Sequence, residues 1–142
     1  MSGFSNYYNK GVYTLPAARA WADKISLADG YIIVTPEYNH GYPAVLKNAL
    51  DYVYAEWNNK PVGFVSYGGV GGARSIEQLR EVVIELKMIP VRTSVNIVAF
   101  WNLLDETGNL KTESLEKSAT DMIDQILWYT NLLKQNRENN QS

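Results

Sequence analysis

The chain of 142 residues contains no cysteine, so it has no disulfide framework, thiol nucleophile or thiolate metal site. A single histidine excludes a His-rich metal centre within one chain. No uncharged apolar run approaches the roughly 20 residues needed to cross a bilayer. The N-terminus, Met-Ser-Gly-Phe-Ser-Asn-Tyr-Tyr, lacks a basic stretch followed by an apolar one, which leaves a secretory leader unsupported. The 13 basic residues are scattered and the net charge is −2, so there is no basic stripe for nucleic acid. What is present is a 46% hydrophobic composition, enough for a buried core. A single soluble domain, cytoplasmic and without nucleic-acid or membrane partners, is the expectation, with a polar tail over residues 136–142.

Helical and extended patterns alternate. Thr14 before Leu15-Pro16 suits a capped helix start with proline in the first turn, and Ala18, Trp21, Ala22, Ile25 and Ala28 follow at helical spacing. Residues 31–35 read as a short apolar strand. Leu46, Ala49, Leu50, Val53 and Trp57 predict a helix over 43–57, and residues 62–67 a second strand. Ile76, Leu79, Val83 and Leu86 mark a third helix, broken by Pro90, and residues 91–99 a third strand rich in β-branched side chains. Residues 100–109 read as a loop. Thr112 is placed as the cap of a last helix carrying Leu115, Ala119, Met122, Ile126, Thr130 and Leu133 on one face, frayed from Asn136. The order implies an α/β fold with a parallel sheet between two helical layers, of about three strands.

Two strand ends carry unusual residues. After residues 31–35 come Pro36, Glu37, Tyr38, Asn39 and His40, then Gly41 and Pro43. A carboxylate, a phenol, an amide and an imidazole stand within four residues, where an open α/β sheet binds ligands. The second strand ends in Ser66-Tyr67-Gly68-Gly69-Val70-Gly71-Gly72. Glycines there permit positive φ and close approach of a ligand to backbone N–H groups, although a tight turn is the bland alternative. The spacing fits neither G-x-G-x-x-G nor a P-loop. His40 as a general base is less favoured than His40 as a loop hydrogen-bonder, since no nucleophile motif accompanies it. Glu37 reads equally as an acid–base group or a turn-stabilising carboxylate, and Arg74 as a phosphate contact or a surface charge. Asp51 reads as solvated or as an interface partner, and Trp21, Tyr54, Trp57 and Trp128 as core or interface packing.

Pro36-Glu37-Tyr38-Asn39, then Pro43 and Leu46-Lys47-Asn48-Ala49-Leu50-Asp51, then Ser66-x-Gly68-Gly69-x-Gly71-Gly72, together resemble the NADPH-dependent FMN reductase family of flavodoxin-like proteins. The resemblance runs from about Tyr13 to the last helix. It implies a flavodoxin-like fold and an FMN-dependent oxidoreductase that takes electrons from NADPH or NADH to flavin, quinone or similar small acceptors in a ping-pong cycle. It implies Pro36, Glu37, Tyr38 and Asn39 against the flavin ring and ribityl chain, and Tyr67, Gly68, Gly69 and Gly72 at its pyrimidine edge. No catalytic side chain and no metal are implied, because the flavin carries the chemistry. The helix over 43–57 is implied to build a homodimer or homotetramer. Against that family's pattern, an N-terminal strand, phosphate loop, helix and second strand, roughly 30 residues or more, do not stand ahead of residue 13. The expectation is then an exposed sheet edge beside residues 31–35, covered by residues 3–13, a partner chain or another protomer. FMN would bind little better than riboflavin. Two alternatives stay open: a non-catalytic fragment or oligomerising subunit with weak or no flavin binding, and a phospholigand module using residues 68–72 without flavin.

Overall fold

A computed structural model describes residues 13–109 and 111–139. Its elements are α1 (Pro16–Ser26), β1 (Tyr31–Pro36), α2 (Ala44–Asp51), a 3-10 turn (Ala55–Trp57), β2 (Pro61–Gly68) and α3 (Ala73–Glu85). β3 (Ile89–Pro90), β4 (Val95–Val98), a second 3-10 turn (Phe100–Leu103) and α4 (Glu113–Asn139) complete the order. The helix–strand alternation expected from the sequence is borne out as a parallel sheet between two helical layers.

β2 is the axis of the sheet. β1 runs parallel along one edge, pairing Tyr31 with Val62 through Pro36 with Tyr67. β3 and β4 share the other edge, β3 against Pro61–Val62 and β4 from Val65↔Val95 to Gly68↔Val98. The single third strand expected over 91–99 is therefore two short pieces, the first beginning at Ile89. The interruption has a physical cause. Arg80 donates to the carbonyls of Val91 (2.8 Å) and Arg92 (2.9 Å), while the Gln125 carbonyl takes the N–H groups of Arg92 and Thr93. Helices on both sides thus take the hydrogen bonds that a continuous strand would have given to β2.

Alternation along β2 divides the core. Val62 and Phe64 face α1, α2 and α3, packed with Ala18, Ala22, Ile25, Leu50, Ile76, Leu79 and Val83. Complete burial of Phe64 contributes about 1.5–3 kcal/mol relative to an exposed ring. The opposite face meets α4 through Met122 and Ile126, with Val65, Ile97 and Ala119. Gly63 sits directly beneath this helix, where a Cβ would crowd the Ile126 and Met122 side chains. Among the described residues β1 has a strand neighbour on one side only, and Ile32 and Val34 on its α4 side are 47% and 64% exposed. Among the described residues, no strand pairs with the edge expected beside residues 31–35. Of the covers considered for it, residues 3–12 lie outside the described residues.

Several local expectations shift. Leu15, not Thr14, is the N-cap of α1, and no side chain caps it; Pro16 at the first position removes one of the orphan N–H groups. The helix expected over 43–57 ends at Asp51. Trp57 leaves the helical path to bury itself, donates its indole N–H to the Leu50 carbonyl (3.1 Å) and packs edge-on against Tyr31 and Trp21. Aromatic packing outweighs the few intrahelical bonds lost. Trp128, read from the sequence as core or interface packing, lies exposed on α4. Asp51 pairs with Lys47 one turn back, both in solvent, an arrangement of little energetic consequence. Thr112 stands just ahead of α4 and donates its hydroxyl to Glu116 (3.3 Å). The same helix continues through Asn136 to Asn139, held by Arg137, which donates to the Asn59 carbonyl and to Asp29.

Candidate functional site

The loops after β1 and β2 leave the same end of adjacent parallel strands and are bonded to each other. β1 stops at Pro36, which has no N–H to continue a ladder. The next residue, Glu37, donates its N–H to the Tyr67 carbonyl at 3.0 Å. Tyr38 and Gly41 then exchange backbone hydrogen bonds of 2.8 and 3.0 Å around Asn39 (φ 50°) and His40 (φ 69°). Two central residues with positive φ make this a type I′ turn, so the polar cluster is a tight hairpin rather than an open loop. Asparagine suits such a position; histidine there carries a backbone cost of order 1 kcal/mol.

Glu37 does not project into solvent. Its side chain is 7% exposed, with Oε1 2.5 Å from an Arg74 guanidinium nitrogen and Oε2 accepting the Arg74 backbone N–H at 3.1 Å. Gly72, the N-cap of α3, has no side chain to satisfy that first turn, so a carboxylate 37 positions away does so. Burial pushes the Glu37 carboxyl upward, but the hydrogen bonds and charge of Arg74 outweigh it and hold the group below the ordinary carboxylate range. Of the two roles open to Glu37, the geometry gives the turn-stabilising one, and Arg74 is its partner.

The first turns of α3 fix the remaining loop. Ser75 Oγ donates to the Pro36 carbonyl (3.1 Å) and Gln78 Nε2 to the His40 carbonyl (2.9 Å). Beneath, Ser66 Oγ donates to the Thr35 carbonyl (2.7 Å). On the far side, Asn96 Nδ2 of β4 donates to the Gly71 carbonyl (2.9 Å). The Gly68 carbonyl accepts the N–H groups of both Gly71 and Ala99.

The glycines divide by role. Gly72 is buried at φ 68°, and a Cβ there would overlap the Ser66 hydroxyl, so it serves the turn. Gly69 is exposed, with nothing within 4 Å of an added Cβ. The N–H groups of Gly69 and Val70 take no partner among the described residues. At the same strand ends lie Tyr38, 62% exposed, and half-buried Tyr67, which meets the Phe100 ring edge-on at 6.1 Å. Phe100 in turn meets Trp101 at 5.4 Å. The donor set suits a flat, electron-rich heterocycle: two free N–H groups, one of them at a glycine with open space beside it, aromatic rings at the same strand ends, and no cluster of acidic or histidine residues fit for a metal among the described residues.

Of the residues singled out from the sequence, Pro36, Glu37, Tyr38, Asn39, Tyr67, Gly68 and Gly69 gather on this ledge, whereas Gly72 lies beneath it. Sequence reasoning missed Ser75, Gln78 and Asn96, which position the loops, and Phe100–Trp101. The aromatic pair did carry a signal, since it directly follows a predicted strand at the same end of the sheet.

A parallel sheet between two helical layers, with polar and glycine-rich loops at the ends of adjacent strands, defines a flavodoxin-like fold. The family model for NADPH-dependent FMN reductase matches residues 2–102, and the chain belongs to that family. It is 57% identical over 77 residues to an NAD(P)H-dependent FMN reductase of Schizosaccharomyces pombe, covering 54% of this chain and 38% of that protein. A 2-hydroxy-1,4-benzoquinone reductase of a Burkholderia species is 35% identical over 115 residues, 75% of this chain and 63% of that one. Among solved structures, the flavoenzyme NAD(P)H:(acceptor) oxidoreductase FerB of Paracoccus denitrificans superposes with a TM-score of 0.63. That match has 21% identity and covers 86% of this chain and 70% of FerB, a likeness of fold. The chain spans less than half the length of the first curated relatives it matches.

Proposed function

We propose that the ledge formed by the loops after β1 and β2 seats the isoalloxazine ring of FMN, in an NAD(P)H-dependent oxidoreductase that passes electrons to flavin, quinone or a similar small acceptor. The observation that carries this reading is the exposed backbone at Gly69 and Val70, with unpaired N–H groups and open space at Gly69, where no side chain stands, at the same strand ends as Tyr38 and Tyr67. When bound, FMN supplies the hydride acceptance and electron release itself. The residues of this chain then hold and polarise. The Gly69 and Val70 N–H groups offer fixed dipoles to an electron-rich carbonyl edge, most useful where negative charge gathers on reduction. Tyr38 and Asn39 would border the ring, and Pro36 and Gly68 would line it with backbone. Glu37 positions the first loop through Arg74, and no side chain is required as a proton donor.

The same reading includes NADPH or NADH as donor, which implies a cytoplasmic setting where reduced nicotinamide cofactors are replenished. It also includes a homodimer or homotetramer through the α2 face, where Val45 is 78% exposed. The test loads the full chain with FMN and mixes it anaerobically with NADPH or NADH. Bleaching of the bound flavin, then reoxidation by added quinone, is the expected result. A flavin that stays oxidised would overturn the reading.

A further inference from the structure

A second concavity lies beside the ledge, between α3 and the segment that interrupts the third strand. This cleft, of about 480 Å³, is lined by Glu77, Arg80, Arg92, Thr93, Ser94 and Asn96. Ala73 stands at its upper end, next to Gly72, and Asn96 reaches from it to the Gly71 carbonyl. The cleft thus lies against the glycine loop that carries the candidate flavin ledge. From Ala73 to Arg80 it follows two turns of α3, about 10 Å.

Its charge is built in. Arg80 is fixed by its bonds to the Val91 and Arg92 carbonyls and by the Phe64 ring 5.4 Å from its guanidinium. Those bonds use two of its five N–H donors. Arg92 is exposed, its backbone N–H fixed by Gln125. Neither guanidinium has a carboxylate partner among the described residues. Two guanidinium groups therefore face one lining carboxylate, Glu77, with the Thr93 and Ser94 hydroxyls beside them. The local break in the third strand is what brings Arg92 to this wall.

We propose that this cleft binds the phosphate-bearing part of the nicotinamide dinucleotide, with Arg92 as the principal contact and Arg80 as a fixed second cation. The proposal rests on the oxidoreductase reading above, which supplies a dinucleotide, and it gives that dinucleotide a path away from the ring. Guanidinium forks suit phosphate oxygens whether these belong to the pyrophosphate bridge or to a 2′-phosphate.

Calorimetric titration of the full chain with NADP+, NAD+ and inorganic phosphate tests it, since binding needs no turnover and no flavin. Arg92→Ala is expected to weaken NADP+ binding about ten-fold or more, and Arg92→Lys by less, because lysine keeps the charge but loses the fork. Glu77→Gln should tighten binding by removing the opposing carboxylate. Loss for NADP+ alone assigns the cleft to a 2′-phosphate, whereas equal loss for NAD+ assigns it to the pyrophosphate; both support the proposal. Unchanged affinity for both dinucleotides in a folded Arg92→Ala chain, or no dinucleotide binding by the wild type, overturns it. A parallel FMN titration keeps the two readings apart: normal FMN binding beside an unaltered NADP+ affinity removes the cleft proposal and leaves the flavin ledge standing.

Discussion

At the scale of single residues, two glycines of one loop divide between holding the turn and leaving space. Gly72→Ala should cost at least about 2 kcal/mol in urea denaturation, because it combines a left-handed backbone with an overlap on Ser66. Gly69→Ala enters open space and should change stability by less than about 0.5 kcal/mol. Comparable losses in both variants would contradict this division. His40 offers the opposite case, a histidine held at φ 69° in a type I′ turn. His40→Gly should stabilise the chain by about 0.5–1 kcal/mol, read as a raised Tm, because glycine occupies that conformation without strain. A lowered Tm would mean the imidazole makes a contact worth more than the strain. Glu37 carries a pH dependence. Its folded-state carboxyl lies below the ordinary range, so its contribution is fully present above that range and fades as pH falls through the folded value. Glu37→Gln should therefore lower Tm at neutral pH, with the gap to wild type closing below about pH 4. A gap that persists unchanged into acid would show that the difference does not come from the carboxylate charge.

At the scale of elements, legibility followed the range of the interactions. The strands over 31–35 and 62–67, and the loops that follow them, could be read because apolar runs and glycine clusters are local signals. The end of α2 could not, because Trp57 leaves the helix for rings supplied by Trp21 and Tyr31, up to 36 positions away. The broken third strand could not either, since Arg80 and Gln125 reach it from helices on both faces. In the site itself, the residue types of the ledge were legible, but their fastening was not. Glu37 to Arg74 and His40 to Gln78 are contacts across nearly 40 residues, and no pattern within either segment announces them. What reads locally as four independent polar groups is, once folded, a hairpin clipped at three points to α3.

At the scale of the whole molecule, the sheet is a platform on which the ends of β1, β2 and β4 lie side by side. β1 contributes the hairpin, β2 the glycine loop, and β4 both Asn96 and, just beyond it, the Phe100–Trp101 pair. α3 fastens this region from one side and frames the cationic cleft beside it. The central claim is that the open backbone at Gly69 receives a flavin ring. The most direct measurement is the equilibrium affinity of FMN for the full-length wild type and for Gly69→Ala, by fluorescence titration. The account predicts that the wild type binds and that Gly69→Ala, with an unaltered Tm, loses about ten-fold or more, because a methyl group stands between the ring and its donors. Equal affinities in the two proteins would contradict it.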